Sequence, residues 1–350
     1  MSNERGAGCP KGIKIAIAVL ALLGIFTLSV AIGSVNIPPG DIWRILLYRA
    51  FGIGETPPRG LMAIVWSLRI PRALMAFIVG AALSVSGAVM QSVLRNPLAS
   101  SFTLGVSSGA SFGAALVLFA GLPAFLNLSV PMSGFAFGMG AMVLAIAMAA
   151  RMDGRMENNT IILVGMVLSL FINAVTTLLM ALQREYMQRL IIWQMGSFAR
   201  RDWHTTGMVA ALAIITIAGV LCVLRYHREL DIMTFGEEQA QIMGVSLRRV
   251  KWILLLISAA LTGSAISFVG IIGFVDLVAP HVVRRIFGSK HSLLIPLSAI
   301  VGGGFMMLCD LVARTIVTPG ELPVGVVSAL AGAPFFAYIY FSKGGRRANA

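Results

Sequence analysis

Apolar runs interrupted by charges, Pro or Gly clusters divide the chain near residues 13–35, 62–92, 103–121, 131–150, 160–182, 205–226, 250–272, 277–287, 293–313 and 324–341. Each run predicts a helix. A bilayer span needs ~20 apolar residues, so 62–92 predicts a tilted helix, whereas 277–287 is too short to cross alone. An element of that length at membrane depth must sit among other helices, because lipid cannot satisfy irregular backbone. The expected fold is all-α: a polytopic membrane protein of about ten transmembrane helices over 13–341, with tails at 1–12 and 342–350. An even number of elements puts both tails on one side, taken as cytoplasmic. The first run follows Lys11 and Lys14 as a signal peptide would, yet it exceeds the usual apolar length of about 7–15 residues and reads as a retained helix.

Composition supports the pattern. Of 350 residues, 58% are hydrophobic and 12% charged, against about 25% charged in a soluble domain. This excludes an ordinary soluble enzyme and leaves room only for short loops. The formal charge of +13 could suggest nucleic acid, but on an apolar chain it points to charges at membrane faces. With the N-terminus inside, ten arginines fall outside: Arg44, Arg49, Arg59, Arg69, Arg72, Arg184, Arg189, Arg200, Arg201 and Arg314. The other 17 of the 27 basic residues fall inside, which supports the orientation.

Little in the chain suggests chemistry. No G-x-x-x-x-G-K-[ST] phosphate cradle occurs, so any ATP must be bound by a partner. His204, His227, His281 and His291 lack metal-ligand spacing, and Cys9, Cys222 and Cys309 are too widely separated for a disulfide framework, so neither a metal nor a catalytic site is expected. Gly105, Gly109 and Gly113 share one helix face, as do Gly134 and Gly138. Both stripes fit close helix packing or a substrate path. Gly165, Ser169, Asn173 and Thr176 or Thr177 form a small and polar stripe in the fifth run, either a pathway lining or an interhelical hydrogen-bond seam. Ala81 to Ser86 is echoed by Ala259 to Ser264 in a run of opposite direction, a weak sign of an inverted repeat. Asp310 and Arg314 are spaced to pair within a helix, with the arginine also placed to meet an acidic partner. Asp276 is either an N-cap or a proton or cation site. The polar stretch from Leu230 to Lys251 reads as a solvated connector or as a short helix-turn-helix that docks a partner.

Longer motifs decide among these readings. Leu68-Arg69-Ile70-Pro71-Arg72, Gly87, Gln91, Asn96-Pro97-Leu98-Ala99 and Leu104-Gly105-Val106-Ser107-Ser108-Gly109-Ala110 resemble the bacterial ABC-importer permeases for iron-siderophores, haem and cobalamin, the FecCD type. Gly236-Glu237 with Ala240 and Gly244, Gly273-Phe274-Val275, Pro280-His281, Asp310 to Arg314, Leu322-Pro323-Val324-Gly325 and Gly332-Ala333-Pro334 continue the resemblance.

The resemblance implies a cobalamin-importer-permease-like subunit of the plasma membrane, not itself an enzyme. It pairs with a second permease, expected to be an identical copy, and works with two ABC ATPases that hold ATP and Mg and with an extracytoplasmic binding protein. It implies that the loop at about 230–249 couples to the ATPase through Glu237, Glu238, Ala240 and Gly244. It further implies that Arg69, Arg72 and Arg314 receive acidic residues of the binding protein, and that Asn96, Leu98, Asn158 and Asn159 form a cytoplasmic gate. The expected cargo is an iron-siderophore chelate, with cobalamin or haem as alternatives; an ion-coupled secondary transporter using Asp276 and Asp310 is the rival class. Two departures stand out: Asp276 replaces a family glycine, and Lys290-His291-Ser292 replaces Asp-His-Arg.

Overall fold

In a computed structural model that describes residues 11–33, 35–119, 130–154, 156–182, 184–199, 206–317 and 320–347, the apolar runs form helices, and no strand occurs among the described residues. The helices are α1 (Lys11–Ala31), α2 (Pro39–Phe51), α3 (Arg59–Val93), α4 (Val106–Phe119), α5 (Val130–Met152), α6 (Asn158–Leu182) and α7 (Arg184–Gln194). They continue with α8 (Thr206–Arg225), α9 (His227–Met233), α10 (Glu237–Ile242), α11 (Leu247–Val269), α12 (Val275–Phe287), α13 (His291–Thr315) and α14 (Val324–Arg347). All ten expected runs are helical. Among the described residues, α1, α3, α5, α6, α11 and α13 are long and apolar enough to span a membrane, making six spans, or seven if α8 and α9, bent by 57°, count as one. The 13 residues of α12 make a rod of ~20 Å, shorter than the ~30 Å hydrocarbon layer, as its short apolar run predicts. Helix α14 runs to Arg347, into the stretch read as a tail. Residues 1–10 and the side chains of 341–350 lie outside the described residues, as do Arg155, Arg200, Arg201 and His204.

Helix α3 is the hub. From Ile70 to Val93 nearly every residue is buried, and its neighbours meet it through small side chains. A Cβ on Gly80 would lie 2.3 Å from the Gly302 carbonyl oxygen, so α3 and α13 touch backbone to backbone. On another side Thr262 donates to Ser86 Oγ at 2.7 Å, and Ser86 donates to the Ser258 carbonyl at 2.9 Å. The echoed segments of α3 and α11 therefore lie against each other. The close-packing reading of the glycine stripes also holds between α4 and α5, where Cβ atoms on Gly109 and Gly113 would approach the Phe137 and Ser133 carbonyls to 2.5 and 2.6 Å.

The first part of α3 departs from regular geometry. Ala63–Arg69 is π-helical, and the Ile70 N–H bonds to the Val65 carbonyl, five residues back. Pro71 follows at once; lacking an N–H, it cannot close the ordinary bond to Ser67, and the wider turn takes up the mismatch. This bulge aims Arg69 and Arg72 at neighbouring helices.

Candidate functional site

Three regions hold the residues singled out in the sequence. At the end expected to face outward, the three arginines are engaged inside the protein. Arg69, 8% exposed, donates from Nη1 to the Val30 and Ala31 carbonyls at 2.7 and 2.8 Å and from Nη2 to Val35. It thereby caps the C-terminus of α1, where free carbonyls favour a cation. Arg72 donates to Asp310 through Nε and Nη2, at 2.8 to 3.0 Å, and to Glu321 through Nη1 and Nη2 at 2.8 and 3.0 Å. Arg314 donates to the Ser29 carbonyl, and its Nε stands 3.6 Å from Asp310, the ion pair expected from their spacing. Asp310 is 1% exposed, so this network fastens α1, α3, α13 and the loop before α14. Arg69 and Arg72 spend their donors on acceptors within the protein, and among the described residues Arg44, Arg49, Arg59 and Arg189 at this end are exposed. Glu321, in the loop, has its carboxyl held below the usual carboxylate range by the hydrogen bonds and charge of Arg72.

At the opposite end, residues 227–245 form the helix-turn-helix that was one of two readings of this stretch. Gly236 (φ 132°) and Gly244 (φ 84°) take backbone angles that suit glycine and bracket α10. Ala240 is fully buried, Glu238 and Gly244 are exposed, and Glu237 is turned inward to Lys251, its Oε1 accepting from Nζ at 2.9 Å. Phe235, Ile242 and Met243 are 71%, 86% and 62% exposed, a bare apolar patch beside the acidic face. The sequence reading missed these three; their signal was three large apolar residues inside an otherwise polar loop.

The four residues expected at the gate lie in two places, the turn after α3 and the start of α6. Asn96 Oδ1 accepts from the Leu98 N–H at 2.9 Å in a local turn after α3, leaving Leu98 half exposed. Asn158 and Asn159 open α6. The Asn158 Oδ1 is buried with no hydrogen-bond partner among the described residues.

Helix α6 splits the expected stripe. Gly165 packs on Leu104, Ser169 donates to the Gly165 carbonyl at 2.8 Å, and buried Thr176 donates to the Ile172 carbonyl at 2.8 Å. These three face the bundle. Asn173 and Thr177 face away, next to Leu163, Val167, Leu170 and Phe171, which are 56% to 70% exposed. At 100° per residue Asn173 sits about 80° and Thr177 about 120° around from Gly165, enough to leave the buried face.

A model of the FecCD transport family matches residues 20–342. The chain belongs to this family. FecCD relatives include an uncharacterised ABC transporter permease protein, YvrB, of Bacillus subtilis (strain 168), 39% identical over 99% of this chain and 97% of its own. The cobalamin import system permease protein BtuC of Halobacterium salinarum is 38% identical over 83% and 75%. Others are named for Fe(3+) dicitrate and hemin transport. An inward-facing metal-chelate type ABC transporter superposes with a TM-score of 0.81 at 28% identity, covering 94% of this chain and 99% of that one. The protein is thus a multi-pass ABC importer permease of the FecCD family, a family of transport permeases rather than enzymes.

Of the two departures from the FecCD pattern, Asp276 is buried among contacts, whereas Lys290 and Ser292 flank a histidine that the pattern shares. Asp276 is 3% exposed and lies one residue inside α12, whose N-cap is Phe274 at φ 69°, so it is not the N-cap itself. Its carboxylate still meets the first-turn amides of Asp276 and Leu277 together with the Ser100 hydroxyl, and its carbonyl abuts Gly87 and accepts from Gln91 Nε2 at 3.1 Å. His291 donates its backbone N–H to Asp231 Oδ1 at 2.9 Å, with Nδ1 2.6 Å from the same oxygen and Nε2 2.7 Å from Ser92 Oγ. This joins α9 to the end of α3.

Proposed function

We propose that this permease, paired with an identical copy, forms the membrane pathway of an ATP-driven importer in a bacterial or archaeal plasma membrane. It moves a metal chelate inward by alternating access. Two ABC ATPases, which bind the ATP and Mg, dock on residues 230–249, and an extracytoplasmic binding protein docks at the opposite end. The observation that carries the reading is the bare patch of Phe235, Ile242 and Met243 beside Glu238 on two short helices at one end of the bundle. An apolar patch rimmed by polar groups suits a protein partner better than water. In this arrangement both termini are cytoplasmic.

The outward face of α6 supports the paired copy. Asn173 and Thr177 are exposed among large apolar side chains, and an amide facing lipid is costly. A second subunit or a water-filled path between two copies removes that cost, with Gly165, Ser169 and Thr176 holding α6 to its own bundle. Asn96, Leu98, Asn158 and Asn159 close the cytoplasmic side of this path. At the outer end, the Arg69, Arg72 and Arg314 network gives the binding protein a rigid platform, while the exposed Arg44 and Arg59 offer cations for acidic residues.

The proposed cargo is an iron-siderophore chelate, within a family whose relatives are named for Fe(3+) dicitrate, hemin, cobalamin and molybdate. Native mass spectrometry of the cognate binding protein, purified from its own cells, tests this. An iron chelate should be retained; a free sugar or amino acid would refute the chelate class, and a corrinoid or haem would move the assignment within it.

A further inference from the structure

A fully buried lysine ties the docking segment to the pathway helix. Lys251, 0% exposed in the first turns of α11, donates from Nζ to Glu237 Oε1 at 2.9 Å and to the Met156 carbonyl at 2.7 Å. Glu237 is the first residue of α10, and Met156 is the second residue before α6. Their partner therefore sits where three segments meet. The turn it grips is itself stiff. Met156 is fully buried at φ 53°, its N–H bonds to the Asp153 carbonyl at 3.0 Å, and the Glu157 N–H bonds to Asp153 Oδ2 at 2.7 Å. A buried ammonium persists only when its donors are matched, and packing alone is served as well by an apolar side chain of that size. What an apolar residue cannot do is hold a carboxylate on one segment and a carbonyl on another with one head group.

We propose that Lys251 is a positioning residue that transmits movement of the ATPase-docking segment to α6, through Glu237 on one side and the Met156 carbonyl on the other. The proposal rests on the importer reading above. It also divides the labour within the segment. Asp231 pairs with His291, whose Nε2 meets Ser92, and this relay links α9 to α3, so loss of Lys251 disconnects α6 and leaves α3 connected.

The test uses the whole complex, with ATPase subunits bound and reconstituted in vesicles, in a permease background with Cys9, Cys222 and Cys309 replaced by serine. Single cysteines, Asn173→Cys on α6 or Leu98→Cys beyond α3, are labelled with a maleimide, with and without ATP plus vanadate. In the parent complex nucleotide changes the labelling rate at both positions. With Lys251→Met the nucleotide response at position 173 shrinks at least about fivefold, the low end of ordinary coupling between sites. The response at position 98 persists, and Lys251→Arg restores position 173. Glu237, whose side chain is 27% exposed, can rehydrate in the Met variant, so the fold survives. Co-purification of the ATPase checks assembly. A Lys251→Met complex that responds at 173 as the parent does, or that loses both responses, overturns the proposal. A parent complex in which nucleotide moves neither probe refutes the ATP-driven reading, and the clamp falls with it.

Discussion

Removing Arg72 should damage the protein far more than removing the acid it holds at the surface. Asp310 is 1% exposed and takes three hydrogen bonds from Arg72; after Arg72→Ala its only remaining cation is Arg314, whose Nε is 3.6 Å away and too far for a good hydrogen bond. Breaking a buried pair by removing one partner costs about 3–5 kcal/mol. Glu321, the other partner, is 37% exposed and returns to water, so its share is discounted to ~0–1 kcal/mol. Spread over an unfolding entropy of about 2.1 cal/mol/K per residue for 350 residues, the loss lowers the melting temperature by ~4–7 °C on the soluble-protein scale. The double variant Arg72→Met with Asp310→Leu removes the buried carboxylate as well, leaves Arg314 its Ser29 carbonyl, and should recover part of the loss. Thermal unfolding of the purified permease in detergent, followed by fluorescence of its five tryptophans, measures all three proteins. A single variant within 1 °C of the parent, or a double no better than the single, would refute a structural role for the network.

Three further outcomes follow from the same geometry. Gly302→Val forces a branched side chain onto the Ser84 Cβ, 2.3 Å from where its own Cβ would lie, and should cost at least ~1–3 kcal/mol, read as lost folded yield in a fluorescence-detected gel filtration. Because Arg72 depresses the Glu321 carboxyl, the stability it contributes is present above the ordinary carboxylate value of ~4.3 and is lost as pH falls through the lower folded value. Glu321→Gln should flatten melting temperature against pH in that acid window alone, and an unchanged profile would contradict the pairing. Ile242→Glu places a charge in the bare patch and should reduce ATPase co-purification about tenfold, while leaving the permease in the membrane.

The long helices were legible because apolar runs and spans are the same object in a bilayer. The run at 250–272 became α11, Leu247–Val269, and the run at 277–287 became α12, Val275–Phe287. Helices α2 and α7 were not legible: Pro39–Phe51 and Arg184–Gln194 mix charges with apolar residues and lack the long run that marks a span. The resemblance pointed to 230–249 as the segment proposed to dock, but no spacing rule foretells that Lys251 meets Glu237, 14 residues away, and Met156, 95 away. Charge counting placed Arg69 and Arg72 correctly at one end, yet it could not see that a π-helical turn aims them inward at carbonyls and Asp310. On α6, small and polar residues four apart read as one stripe, although accumulated rotation had already carried Asn173 and Thr177 onto the outer face.

Uptake into vesicles holding the full complex and supplied with loaded binding protein separates a permease driven by ATP from one driven by an ion gradient. Hemin, ferric citrate and cobalamin serve as parallel probes. Uptake of one of them should require ATP and continue after a protonophore collapses the proton gradient. Uptake that persists without ATP and stops with the protonophore would contradict the ATP-driven reading and return Asp276 and Asp310 to the role of coupling carboxylates.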